Sequence, residues 1–162
     1  MPATIPVVDA DAARAFLQAG RLAVVGASDA KESMGRTVYT ELRSHGIDAV
    51  AVHRTAATVA GDPCYPSLDA VPGELAGAIV MVGGPAAAEV VREAAARGIP
   101  RVWLYFGFSK PGSATPEALA AAEELGLEVV PGACPLMFLE PTAFIHRFHR
   151  GIRRMRGHVT AG

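Results

Sequence analysis

Five short apolar runs, separated by stretches of helical period that each stop at a glycine, constrain this chain more than any other feature of its sequence. The runs Leu22–Val25, Ile47–Val52, Ala78–Val82, Val102–Phe106 and Leu127–Val130 have strand length and little polar alternation, as strands covered on both faces do. From about Gly35, a helical stripe of Val38, Tyr39 and Leu42 runs to a stop at Gly46. Pro85 opens a second helix through Val90, Val91 and Ala94 to Gly98, and Thr115 with Pro116 opens a third through Leu119 and Leu125 to Gly126. A further helix over 9–19 precedes the first strand, capped by Asp9, with Ala12, Ala13, Phe16 and Leu17 on one face and Gly20 as its stop. Between the second and third strands lies a loop through Gly61, Pro63 and Pro66, with one helical turn at Ser67–Val71. Strand–helix–strand crossovers are right-handed in nearly all cases, so the pattern predicts α/β architecture: a single-domain, doubly wound parallel sheet of about five strands with helices on both faces.

The composition agrees with one folded unit. A length of 162 residues suits a single domain, and 51% hydrophobic with 19% charged residues excludes a disordered chain. No apolar run approaches the ~18 residues of a membrane span, and the N-terminus lacks the basic and apolar regions of a signal peptide, so a cytoplasmic protein is expected. Cys64 and Cys134 lack the spacing of a disulfide framework or a zinc site, and both read as thiols. The net charge of −1 conceals an asymmetry: the tail 141–162 holds five arginines and no acid, leaving 10 of 15 basic and all 16 acidic residues in 1–140, a balance of −6. The main body therefore does not carry the charge of a nucleic-acid protein. Within the basic tail, Phe144, Phe148, Ile152 and Met155 recur at helical spacing. The tail is expected to form an amphipathic helix that packs on the domain or, in a homo-oligomer, on a twin subunit; the alternatives are an acidic protein partner, RNA or a membrane surface. His146 and His149 find no third ligand, so no metal site is expected.

Ligands of doubly wound sheets bind outside the C-terminal strand ends, which directs attention to five loops. Gly26, Ala27 and Ser28 follow the first strand, and Gly35 and Arg36 open the next helix, an arrangement able to present backbone N–H groups, a helix N-terminus and a guanidinium to a phosphate. The loop has neither the GxGxxG nor the GK[ST] spacing. The second strand ends in His53-Arg54, where an NAD-binding domain usually keeps a carboxylate for the ribose; a cation there suits an extra ribose phosphate, as in NADP or coenzyme A. Glycine-rich ends follow the third strand (Gly83, Gly84, then Pro85) and the fourth (Gly107), allowing close backbone approach to a ligand. Trp103, Tyr105 and Phe106 read as core. Cys134, before Pro135 on the same rim, reads either as a small buried apolar group or as a thiol facing the reactive end of a ligand bound there.

The order and spacing of VVGAS (24–28), GDPCYPSL (61–68), WLYFG (103–107) and GLEVVPGACP (126–135) resemble the small Rossmann-like CoA-binding proteins, similar to the CoA-binding domain of the succinyl-CoA synthetase alpha subunit. The resemblance implies coenzyme A or an acyl-CoA as ligand, held by Gly26, Ala27, Ser28, Arg36, His53, Arg54, Thr55, Val82, Gly83, Gly84, Pro85 and Gly107. That family often has Val-Asn-Pro-Lys after the second strand, whereas here the positions read Val52-His53-Arg54-Thr55, so Arg54 is expected to take the lysine's role one position earlier. The phosphorylatable histidine domain of the synthetase has no counterpart in the sequence, nor does a GxSxG elbow or an HExxH helix. The expectation is a non-catalytic CoA carrier, sensor or regulatory module. The alternatives are an NADP-dependent oxidoreductase and a CoA-site subunit of a multi-chain acyl-transferring enzyme.

Overall fold

The computed structural model describes residues 7–30, 33–106, 112–139 and 159–160. In chain order the elements are β1 (Val8–Asp9), α1 (Ala10–Leu17), β2 (Leu22–Val25), α2 (Met34–Ser44), β3 (Ala49–Val52), β4 (Thr58–Val59), β5 (Asp62–Tyr65), β6 (Gly77–Val80), α3 (Pro85–Ala96), β7 (Arg101–Leu104), α4 (Pro116–Glu124), β8 (Glu128–Val130), a 3₁₀ turn (Pro135–Phe138) and β9 (Val159–Thr160). Local chemistry sets the helix starts. The Asp9 carboxylate accepts from the Asp11 and Ala12 N–H groups, and the Thr115 hydroxyl accepts from Ala118 N–H ahead of Pro116, as the sequence predicts.

The main sheet has the order β4-β5-β3-β2-β6-β7-β8. Its parallel centre, β3-β2-β6-β7-β8, is built from the five expected strands, with ends shifted by one or two residues. Each strand alternates between two cores. Val24, Ala51, Ile79 and Trp103 face α1, α2 and the 3₁₀ turn, while Val25, Val52, Val80 and Leu104 face α3 and α4. Trp103 is fully buried, edge-on to Phe16 and Phe138 at 5.5 and 5.6 Å, and its Nε1–H donates to the Ala133 carbonyl at 3.2 Å. The chain runs from β2 to β3 on one side and returns to β6 on the other, so the strand order reverses at β2.

The expectation of about five strands is corrected to seven in this sheet. The segment expected as a loop folds into the antiparallel hairpin β4–β5, and β5 extends the sheet by pairing parallel to β3. Its two-residue turn, Ala60-Gly61, has φ of 52° and 84°, the conformation that Asn-Gly usually signals. An alanine in this place hides the turn from sequence reading. Tertiary bonds hold the hairpin. Tyr39 of α2 donates its hydroxyl to the Asp62 carboxylate at 2.8 Å, and burial together with this bond pushes the phenol up to about 12. A second, two-stranded sheet pairs β1 with β9 in parallel, Val8 opposite Val159. The expected tail helix, with Phe144 to Met155, lies outside the described residues. Among the described residues no helix is long and apolar enough to cross a membrane.

Two side chains tie the segment after β5 to α3. Arg97 donates to the carbonyls of Leu68, Val71 and Gly73, while Glu93 Oε1, one helical turn earlier, accepts from Leu68 N–H at 2.8 Å. Arg97→Ala leaves three carbonyls without this donor and should lower the unfolding free energy by about 2 kcal/mol in urea denaturation. A change below about 0.5 kcal/mol contradicts this role.

Candidate functional site

The end of β2 and the start of α2 are built on two glycines. Gly26 turns the chain at φ 107°, and a Cβ there would lie 3.0 Å from Val82 Cγ1 and 3.2 Å from Met81 Cβ. A Cβ on Gly35 would lie 2.6 Å from the Gly26 carbonyl oxygen, so only glycine lets the first turn of α2 rest on the strand end. This seats the positive end of α2 against the Gly26–Ser28 loop. Ser33, which sequence reading missed, caps the helix: its Oγ accepts from Arg36 N–H at 3.1 Å and from Ser28 N–H at 3.4 Å.

Arg36 stands at this helix start but is engaged. Its Nε donates to the Asp29 carboxylate at 3.0 Å, and the same oxygen accepts from Ala60 N–H at 2.9 Å. The Ala60 N–H, then the Arg36 guanidinium, hold the Asp29 carboxyl below the usual carboxylate range. Asp29 therefore joins the Gly26 loop, α2 and the β4–β5 turn. Cys64 lies close by, its Sγ 3.9 Å from the Ala27 carbonyl; burial and the Asp29 charge push its thiol up, away from the reactive thiolate.

At the end of β3, the His53 imidazole organises its own loop. Nδ1 accepts from Thr55 N–H at 3.2 Å and Ala56 N–H at 3.1 Å, which leaves the ring proton on Nε2. An asparagine side chain closes the same kind of turn. Arg54 follows, with Nη2 3.5 Å from Glu89 Oε2 of α3.

These elements enclose a groove of about 500 Å³ at the C-terminal ends of β2, β3 and β6. Val25, Gly26 and Val52 form its floor, His53, Arg54 and Thr55 one rim, and Val82 the end of β6. The opposite wall is one face of α3, Ala86, Glu89, Val90 and Glu93, at the i, i+3, i+4, i+7 spacing. Pro66 and Ser67 close the far side. Of the candidates from sequence, the structure brings Gly26, His53, Arg54, Thr55 and Val82 together here. Ala27, Ser28 and Arg36 stand beside it at the start of α2, and Gly83, Gly84 and Pro85 lead into α3, with Gly84 as N-cap at φ 60°. Gly107 lies outside the described residues. Cys134 does not line the groove: it is 4% exposed, at the head of the 3₁₀ turn in the core facing α1 and α2. The preceding Ala133 sits at φ 65°, and its carbonyl accepts from both Trp103 Nε1–H and Phe106 N–H, which gives the PGACP segment a structural task. Sequence reading missed Glu89 and Glu93, although the helical period through Ala86 and Val90 places both on one face.

A roomier cavity of about 640 Å³ lies between α1 and β8, lined by Ala12, Phe16, Arg101 and Glu128 among others. It runs along the whole of β8, from Glu128 to Val130, beside Arg101 at the start of β7, whereas the groove lies at the C-terminal ends of three strands and beside the start of α2, and the groove is the better ligand site on that ground.

Fold and groove together define a Rossmann-like α/β domain with a groove at its strand-order reversal. The chain belongs to the CoA binding domain family, whose profile matches residues 20–140. Among solved structures it is similar to Prb, the PH1109 protein redesigned for binding, at 26% identity and TM-score 0.72, covering 95% of this chain and 96% of that one. It is also similar to a hypothetical protein from Pyrococcus horikoshii OT3, at 28% identity and TM-score 0.70, covering 83% and 94%. A dinucleotide-forming acetyl-coenzyme A synthetase 1 of Ca. Korarchaeum cryptofilum, in complex with phosphate and ADP, matches at 25% identity and TM-score 0.60; the match covers 74% of this chain and 27% of the synthetase. No curated protein matches the sequence.

The imidazole cap is testable by replacement. His53→Asn keeps an acceptor for the Thr55 and Ala56 N–H groups and should change stability by less than about 0.5 kcal/mol, whereas His53→Ala should cost about 1 kcal/mol. Equal losses in chemical denaturation contradict the capping role.

Proposed function

We propose that this chain binds coenzyme A or an acyl-CoA and acts as a carrier, sensor or regulatory module rather than as a catalyst. In this reading the adenosine lies in the groove between the β3 end and α3. The pyrophosphate meets the N–H groups of Gly26 to Ser28 and the N-terminus of α2, and the pantetheine arm follows Val82 to Pro85. Arg54 takes the ribose 3′-phosphate. The observation that carries the reading is the groove itself: an apolar floor at the strand-order reversal, next to a helix N-terminus, with a cation at the end of β3. Membership of the CoA binding domain family supports the same ligand.

A second reading, in which the chain supplies a CoA site to an acyl-transferring enzyme completed by other chains, is favoured by one observation. The likeness to acetyl-coenzyme A synthetase covers most of this chain and 27% of the synthetase, so a comparable unit occurs inside a larger enzyme.

A thermal-shift comparison of CoA, acetyl-CoA, NADP, NAD and ATP tests the ligand class. A ligand at a hundred times its dissociation constant stabilises by ~2.7 kcal/mol, and CoA should give a larger shift than either nicotinamide dinucleotide. A larger response to NADP overturns the reading. Within it, Arg54→Ala should weaken CoA about tenfold, the lower end for a charge-assisted contact on a solvent-exposed side chain, and leave dephospho-CoA within about twofold. Equal losses for both ligands would remove Arg54 from the 3′-phosphate.

A further inference from the structure

Both cations assigned to the phosphates are already paired within the chain, Arg36 with Asp29 and Arg54 with Glu89. The two carboxylates are not equivalent. Asp29 also accepts the Ala60 N–H and so holds the hairpin turn in place. Among the described residues Glu89 has Arg54 as its ion-pair partner, and no hydrogen bond ties it to the fold. Glu93, the other acid of the groove wall, is committed to the Leu68 N–H.

We propose that Glu89 is a specificity-determining residue of the groove: its carboxylate opposes a phosphate on the adenosine ribose and so limits how far the site prefers 3′-phosphorylated over unphosphorylated adenosine ligands. The inference rests on the CoA reading above and goes beyond it. Glu89 and Val90 are neighbours on the groove face of α3, so the carboxylate belongs to the wall that an adenosine would touch. The Arg54 and Glu89 side chains are 80% and 63% exposed, and a solvent-exposed pair of this kind contributes little to folding. A phosphate dianion bound to Arg54 therefore displaces the carboxylate without disturbing the domain, because a doubly charged acceptor on a guanidinium is the stronger partner. The displaced carboxylate stays anchored to α3 and still faces the phosphate across the groove mouth. One cation, Arg54, is then set against two carboxylates, Glu89 and Glu93, in the groove lining. A ligand with a free 3′-hydroxyl meets no such opposition. Glu89 thus lowers the advantage that Arg54 confers on the phosphorylated ligand.

Isothermal titration calorimetry of the full chain with CoA and with dephospho-CoA separates the possibilities, using wild type, Glu89→Gln and Glu89→Lys. Glu89→Gln keeps the side-chain shape and removes the charge. It should tighten CoA three- to tenfold while dephospho-CoA stays within about twofold, and Glu89→Lys should tighten CoA further. Both gains should shrink when salt is raised, as a charge effect does. If wild type binds neither ligand, the CoA reading itself falls. If wild type binds both but Glu89→Gln changes them equally, leaves CoA unchanged or weakens it, the role of Glu89 is overturned and the CoA reading stands.

Discussion

The approach of α2 to the end of β2 is the constraint on which the rest of this site depends. With no room for a Cβ on Gly35 beside the Gly26 carbonyl, the helix starts directly over the strand end instead of beside it. Its free N–H groups and positive pole then face the same rim as the ends of β3 and β6. A side chain at position 35 would push the helix away and separate its N-terminus from the Gly26–Ser28 loop. The Gly26–Ser28 loop, the Ser33 cap and the Asp29–Arg36 contact all follow from that placement.

The groove owes its shape to a second constraint, the reversal of strand order at β2. The two helices leave the rim on opposite faces, α2 towards β3 and α3 towards β7, and the crevice opens between the β3 end and α3. Its walls are held by polar contacts that do not involve a ligand. The His53 imidazole shapes the rim, and Glu93 with Arg97 fixes the segment after β5 against α3. The groove is therefore shaped without a ligand, and Arg54 and Glu89 form an exposed pair at its mouth.

Much of this was legible in the sequence because it is local. Buried parallel strands announce themselves as short apolar runs, and Asp9, Thr115 and Pro116 mark helix starts by chemistry confined to one turn. The loops bearing Gly26, His53, Arg54 and Val82 could be assigned to one rim because βαβ topology puts every strand end there. What escaped reading depends on contacts distant in sequence. The β4–β5 hairpin turns on Ala60 at positive φ, held by Asp29 and by pairing with β3, none of which a local pattern displays. The pairing of Arg36 with Asp29, and of Arg54 with Glu89, likewise joins residues that only the fold brings together. Cys134 shows the converse limit. Its position on the rim was readable, but the choice between a ligand-facing thiol and a small buried group was settled only by the fold, which turns its side chain into the core facing α1 and α2.

The central claim is that the ligand lies at the rim formed by the ends of β2, β3 and β6. Backbone amide shifts in a nuclear magnetic resonance titration with CoA test it most directly, because they locate the ligand residue by residue. The account predicts the largest shifts at Gly26 to Ser28, His53 to Thr55 and Val82 to Ala86. Shifts concentrated instead around Ala12, Phe16, Glu128 and Val129, the lining of the larger cavity between α1 and β8, would contradict it.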